Sequence, residues 1–506
     1  MQMAQTAWSI LPPVITIILA LWTKEVYMSL IIGIFSGALL FTGGNILESI
    51  LTMFQVMGDK VGGNVNILVF LVILGILVAA ITRSGATRAY GEWASRTISS
   101  KRSAQVVTAL LGLVIFIDDY FNCLTVGTVM RPVTDKFKIA RTKLAYIIDA
   151  TAAPICIIAP VSSWAAAVGS SLPEGSSIDG FSLFLQTIPF NLYALLTLCF
   201  MAFIVWSGRD FGTMAHSIRS NAEQFKIPEE YQDADMAQHG EAGRGKLADL
   251  MLPLLVLICA CVFGMLYTGG LWGEEPCSIA DAFANCDSSK SLVLGAFIAF
   301  VFTGLLYLPR RVITFNSFCD SFGAGFKAMT PAIFILCLAW TLSGICSDKY
   351  LDLGGFVGAF VSTHAAIVMF LPPIFFLVAM GLAFATGTSW GTFGILIPIA
   401  IAVLGTEDAN MLVVCVAAIL SGAVGGDHAS PISDTTILAS AGAQCHHIDH
   451  VSTQIPYVLV VAGCSLIGYI VDGVTASGWL GLAAGFACLL GCMAFLLARV
   501  KAPQEE

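Results

Sequence analysis

Apolar runs close to the length of a membrane-crossing helix recur along this entire chain. A bilayer core needs about 20 such residues per helix. The runs occupy 8–22, 27–42, 65–82, 104–117, 119–133, 144–168, 183–206, 249–268, 290–308, 325–345, 355–380, 384–404, 410–426, 454–472 and 478–498. The first of them lacks a basic leader and a small-residue cleavage site, so it reads as a span rather than a signal peptide. The stretch 45–57 is too short to cross and reads as interfacial, and 104–117 with 119–133 could be a re-entrant hairpin or two crossings. Composition agrees. Only 11% of residues are charged and 57% are apolar, against about 25% charged in an ordinary soluble domain.

The charges that remain are sorted by loop. Arg83, Arg88, Arg96, Lys101 and Arg102 flank one loop, and Arg131, Lys136, Lys138, Arg141 and Lys143 crowd another. Arg310 and Arg311 mark a third, and Arg499 and Lys501 follow the last span. Acidic residues collect in the alternate loops, around 174–179, 274–287 and 407–408. Putting the basic loops inside predicts a cytoplasmic C-terminus in a multi-pass inner-membrane protein. The net charge of −9 gives no reason to expect nucleic acid. No nucleophile elbow, P-loop, zinc-protease or dinucleotide motif is present, which argues against an enzyme, an organic cofactor or an ATP-driven pump. Most of the fifteen cysteines sit singly in apolar runs and read as small hydrophobes. Cys277 and Cys286 share a polar loop and form a candidate disulfide, the alternative being two free thiols.

Two halves look related. Thr125-Val-Gly127 and Pro132 resemble Thr392-Phe-Gly394 and Pro398, and Pro160-Val-Ser162-Ser163 resembles Pro431-Ile-Ser433-Asp434. The intervening loops have opposite charge, so the copies are expected upside down relative to each other. Short, Gly/Pro-broken spans at matching places in inverted halves point to a transport site. The expected fold is an all-α polytopic membrane protein, an inverted-repeat transporter with discontinuous or re-entrant helices in each half. Its predicted parts are N-terminal spans 1–64, a first repeat 65–206 and a cytoplasmic linker 207–247. Connecting spans 248–324 follow, with an outer loop at 269–289, then a second repeat 325–472 and a last span with tail 473–506.

Four polar clusters interrupt the apolar runs, and ionisable groups at such depth usually face a cavity or a partner. The first contains Asp118, Asp119 and Asn122; adjacent acids there suit proton or cation exchange, or simply cap a helix. The second is Asp149 with Pro154, Pro160, Ser162 and Ser163, where prolines free backbone carbonyls that a dehydrated Na+ could use. The third, 386–392, holds Thr388 and Ser389 among glycines, for ligand approach or for close helix packing. The fourth joins Asp427, His428, Ser430, Ser433, Asp434 and Thr435, with His428 a candidate pH sensor. His446, His447, Asp449 and His450 follow; their spacing fits no standard metal site and reads as a polar loop.

The run from Asp427 through Ser430-Pro-Ile-Ser433-Asp434-Thr435, continuing to His447-Ile-Asp-His450 and Gln454-Ile-Pro-Tyr457, resembles the signature of the NhaC family of Na+/H+ antiporters. Asp118-Asp119-Tyr-Phe-Asn122, Asp149-Ala-Thr-Ala-Ala-Pro154 and Gly387-Thr-Ser-Trp-Gly-Thr392 resemble that family's other motifs. The resemblance implies Na+-coupled secondary transport, with Na+/H+ antiport as the default and Na+-coupled movement of an amino acid or small carboxylate as the alternative. Asp149, Asp427 and Asp434, with Asp118 and Asp119, are the expected cation or proton acids. Asn122, Ser162, Ser163, Thr388, Ser389, Ser430, Ser433 and Thr435 would complete an oxygen cage, with Na+ at Asp149, Ser162, Thr388 and Asp434. Expected partners are the lipid bilayer, Na+ and H+, with a homodimer left open.

Overall fold

The computed structural model describes residues 6–170, 180–219 and 244–500, apart from 24, 274–277, 280–281, 283–284, 354, 357–364 and 405–408. Cys277 and most of the expected linker therefore lie outside the described residues. Regular structure among the described residues is helical throughout. Eight helices are long and apolar enough to cross a membrane, or up to ten if two bent pairs each count as one span. The chain is a multi-pass membrane protein. Its outer surface is apolar, with Leu305, Phe495, Leu490 and Leu459 exposed. Trp22, Trp206, Trp272 and Trp479 are exposed at helix ends, where amphipathic rings suit the lipid headgroups.

Helices approach each other where side chains vanish. A Cβ on Gly75 would stand 2.5 Å from the Gly325 carbonyl oxygen, and one on Gly426 would stand 2.1 Å from that of Met380. Such backbone contact is how helices associate where lipid offers no hydrophobic drive.

Several expected boundaries move, each for a local reason. The run 144–168 is not one span. It divides into Arg141–Thr151, Ala153–Cys156 and Ser163–Gly169, because Pro154 and Pro160 supply no N–H to the helix ladder. The stretch 45–57 belongs to a longer helix, Ile46–Gly63, lying at 118° to Val26–Phe41. Phe315–Cys346 is 32 residues long and bends by 40° at Pro331. The interruption expected between 380 and 384 lies at Gly387 and Thr388, between Leu371–Thr386 and Ser389–Leu404. The polar stretch 446–450 is no loop, since His447 begins a 29-residue helix reaching Thr475.

Two of the basic residues counted for orientation are buried and paired. Lys143 meets Asp210, which also accepts from the Tyr457 hydroxyl at 2.6 Å. Arg141 holds Asp135 at 3.0 Å and donates to the Gln444 carbonyl at 3.1 Å.

Candidate functional site

The helix breaks of the two halves are built alike. In the first, Ile115–Asp118 separates Lys101–Val114 from Asp119–Lys136, and Asp118 caps the second helix by accepting from the Phe121 N–H at 3.0 Å. In the second, Gly387 ends one helix in the left-handed region, φ +69, and Thr388 accepts from the Gly391 N–H at 3.3 Å. Across the first break, the Ser163 N–H donates to the Ile117 carbonyl at 2.9 Å. Across the second, the Asp434 N–H donates to the Gly387 carbonyl at 3.2 Å. Ser162 and Ser433 are the corresponding caps, accepting from the Ala165 and Thr436 N–H groups at 3.1 Å each. This pairing sets Asn122 opposite Thr392, one turn from the Thr125–Thr392 pairing that the sequence suggests.

Most of the expected cage hydroxyls are spent on these breaks. Ser162 donates to the carbonyls of Cys156 and Ala159 at 2.7 and 3.0 Å. Ser430 donates to Phe384 at 2.7 Å and Ser389 to Ala423 at 3.4 Å. Ser163 donates to Asp118 Oδ2 at 3.2 Å, and Ser433 lies 3.2 Å from the Thr435 hydroxyl. The Asn122 amide nitrogen donates to the carbonyls of Gly112, Ile115 and Thr151. The hydroxyl stitching satisfies carbonyls that proline and the breaks set free, as buried backbone requires.

What stays unspent is a set of side-chain oxygens on acids and one amide. No hydrogen bond reaches Oδ1 of Asp119, Asn122, Asp149 or Asp427, and all four residues are buried. Cys123 lies within electrostatic reach of Asp118, Asp119, Asp149 and Asp427. Asp427 in turn feels Asp149 and Asp434.

The second oxygens of Asp149 and Asp427 are held by neighbours on one short helix, Asp434–Ala443. The Thr435 hydroxyl donates to Asp427 Oδ2 at 2.6 Å, and the Thr436 hydroxyl to Asp149 Oδ2 at 3.0 Å. Gln454 Nε2 reaches Asp149 Oδ2 at 2.8 Å and the His428 carbonyl at 2.6 Å. His450 Nε2 stands 3.3 Å from Asp149 Oδ2, and His428 Nε2 stands 3.9 Å from Oδ1. His428 Nδ1 pairs with the Tyr193 hydroxyl at 3.1 Å. Asp434 is exposed rather than buried, and Tyr120 donates to it at 3.4 Å.

The contacts thus divide the four expected Na+ ligands. Asp149 belongs to the buried cluster, Asp434 to an exposed edge, and Ser162 and Thr388 to the helix breaks. Sequence reasoning missed His450, Gln454, Thr436 and Tyr193. The spacing of four between His450 and Gln454 puts both on one helix face, but that signal is visible only once 447–475 is known to be helical. Of the other histidines, His447 meets Ser440 and the Pro431 carbonyl.

Chemically, the cluster offers hard carboxylate oxygens in a buried site faced by two histidines. That set can hold either a small cation or protons. The chain as a whole is similar to known proteins. The sequence profile of the Na+/H+ antiporter family matches residues 165–474. An uncharacterised protein of Haemophilus influenzae is 39% identical over 96% of this chain and 95% of its own length. The malate-2H+/Na+-lactate antiporter of Bacillus subtilis is 29% identical over 36% of this chain and 43% of its own. The arginine/ornithine antiporter ArcD of Halobacterium salinarum is 28% identical over 49% of this chain and 45% of its own.

Proposed function

Because the chain belongs to the Na+/H+ antiporter family, we propose that it exchanges Na+ for protons across the cytoplasmic membrane, with the C-terminal end of the last helix inside. The observation that carries this reading is the pair of buried carboxylates, Asp149 and Asp427, each held by one of two adjacent threonines and each with an oxygen left unbonded. Antiport needs one site that cannot hold both cargoes together. Na+ on the free oxygens of Asp149 and Asp427 repels protons from those acids and from His428 and His450. Protons on the acids remove the charge that Na+ needs. Binding energy in such a site comes from charge at short range in a low-dielectric medium.

Exchange then requires the site to open to one side at a time. The breaks supply the moving parts: within each half, broken helices are joined by a single backbone hydrogen bond, Ser163–Ile117 in the first and Asp434–Gly387 in the second. Alternating access would come from one bundle rocking against the other.

A carboxylate cargo, as in two of the relatives, would need donors at the site. Here Asp118, Ser162, Thr388 and Ser433 each already take one first-turn N–H at the breaks, and the buried Lys143 is paired with Asp210. The geometry favours the cation. In proteoliposomes carrying a pH dye, an imposed Na+ gradient is expected to drive protons the opposite way. Na+-dependent uptake of a labelled amino or organic acid, with no Na+-driven proton flux, would overturn the reading.

A further inference from the structure

Three cysteines that stand apart in the sequence meet in space. Cys464 lies on His447–Thr475. Cys488 and Cys492 lie on Gly478–Arg499, four residues apart and so on one face of that helix. Glycines bring the two helices close. A Cβ on Gly468 would stand 2.9 Å from the Gly481 carbonyl oxygen, and one on Gly485 would stand 3.4 Å from that of Cys464. Backbone contact of this kind leaves short side chains within reach across the crossing. Cys464 Sγ is 3.4 Å from Cys488 Sγ and 4.0 Å from Cys492 Sγ, and the three sulfurs all lie within 4.8 Å of one another. All three are free thiols.

Close packing asks only for small residues, and alanine or glycine would serve it as well. Three converging sulfurs are more than packing needs. At the ion–sulfur distance of about 2.3 Å usual for thiolates, three sulfurs in one plane around an ion stand about 4.0 Å apart, and less when the ion sits above that plane. The pairs at 3.4 and 4.0 Å match this triangle, and a small side-chain shift closes the third. No fourth His, Cys, Asp or Glu among the described residues joins the group. Zn2+ takes four ligands, and the lipid core offers no water as the fourth. The arrangement favours an ion that makes three bonds.

Depth decides the charge of that ion. The three cysteines lie in the middle of both helices, Cys464 buried and Cys488 and Cys492 partly exposed, on the same helix as the lipid-exposed Leu490. A net charge at mid-span is costly. Three thiolates carry three negative charges, so a monovalent or divalent ion leaves the complex charged and a trivalent one leaves it neutral. Thiolate sulfur also selects soft ions. Trivalent arsenic and antimony meet all three demands: affinity for sulfur, three bonds and a charge of three. The binding step balances without redox change. Uncharged arsenous acid loses three As–O bonds and gains three As–S bonds, and each thiol proton leaves with a hydroxyl as water.

We propose that Cys464, Cys488 and Cys492 form a binding site for a soft trivalent metalloid, which fastens the last helix to the helix carrying His450 and Gln454. The site stands apart from the exchange reading, and its test measures no flux. Purified full-length protein is equilibrated with arsenite in excess reduced glutathione, then freed of unbound arsenic. Glutathione strips arsenic from isolated thiols such as the exposed Cys199, Cys259 and Cys319. One arsenic per chain is expected to remain, its X-ray absorption showing three sulfur neighbours and no oxygen. Cys464→Ala and Cys492→Ala are each expected to weaken retention by about 100-fold, the effect of losing one tethered bond. Serine at the same positions is expected to give the same loss and serves if alanine disturbs folding. Zn2+ offered in place of arsenite should not be retained. The proposal is overturned if the wild type retains no arsenic, if the bound arsenic keeps oxygen neighbours, or if folded variants at both positions hold it as tightly as wild type. Zn2+ held as tightly as arsenite would likewise overturn the assignment to a trivalent ion.

Discussion

Replacing Asp149 with asparagine is expected to lower Na+-driven proton flux by roughly 100- to 1,000-fold while the protein remains folded. The side chain keeps its size, so its packing between Thr436, Gln454 and the two histidines is retained. What changes is charge. A unit charge about 4 Å from a cation, at an effective dielectric near 20, is worth about 4 kcal/mol. About 1.4 kcal/mol corresponds to a decade of affinity, so the loss approaches three decades. The amide also cannot exchange a proton. An NH2 placed where Oδ2 now accepts would face the Gln454 donor, and one placed at Oδ1 would point toward His428. Asp149→Glu retains charge and should recover part of the flux. Thermal stabilisation by Na+ should disappear in Asp149→Asn and persist in Asp149→Glu. Flux within about threefold of wild type in the asparagine variant would show that the cation is held elsewhere.

How much of this site could be read from the sequence depends on what each residue's neighbours are. Asp118, Asp119, Asp149 and Asp427 stand out because acids inside apolar runs are expensive, and in the structure all four are buried. The breaks at Pro160 and Gly387 are equally visible, since proline and glycine act on their own backbone. The hydroxyls were harder. Ser162, Ser389 and Ser430 have the composition of a cation cage, yet each hydroxyl bonds a carbonyl of the fold itself. Nothing in a one-dimensional pattern says which partner a serine will take. His450, Gln454 and Thr436 were missed for the complementary reason: their partner Asp149 lies about 300 positions away. The run 144–168 read as a single span because its apolar content is continuous, whereas its division depends on where two prolines leave carbonyls for Ser162 to collect.

The joint between the two broken helices of the second half gives the other large effect. Gly387→Ala is expected to abolish exchange and lower thermal stability, through two causes at one atom. At φ +69 an L-residue pays about 1–2 kcal/mol for the left-handed backbone. A Cβ would also fall 2.3 Å from the Ile432 carbonyl oxygen and 2.6 Å from its carbon. Those are backbone atoms and cannot swing away as a side-chain tip could. To relieve the contact the two segments must part, and the Gly387 carbonyl would lose the Asp434 N–H that ties this break together. The Ser433 cap and the first turn carrying Thr435 and Thr436 would move with it, taking away the donors that hold Asp427 and Asp149. Gly43 supplies the control. It has nearly the same backbone, φ +67, with nothing within 4 Å of its would-be Cβ. Gly43→Ala should show the strain alone, with a small loss of stability and exchange near wild type. If both variants exchanged equally well, the crossing at Gly387 would be a packing detail, and the coupling between broken helix and carboxylates would have to run through another contact.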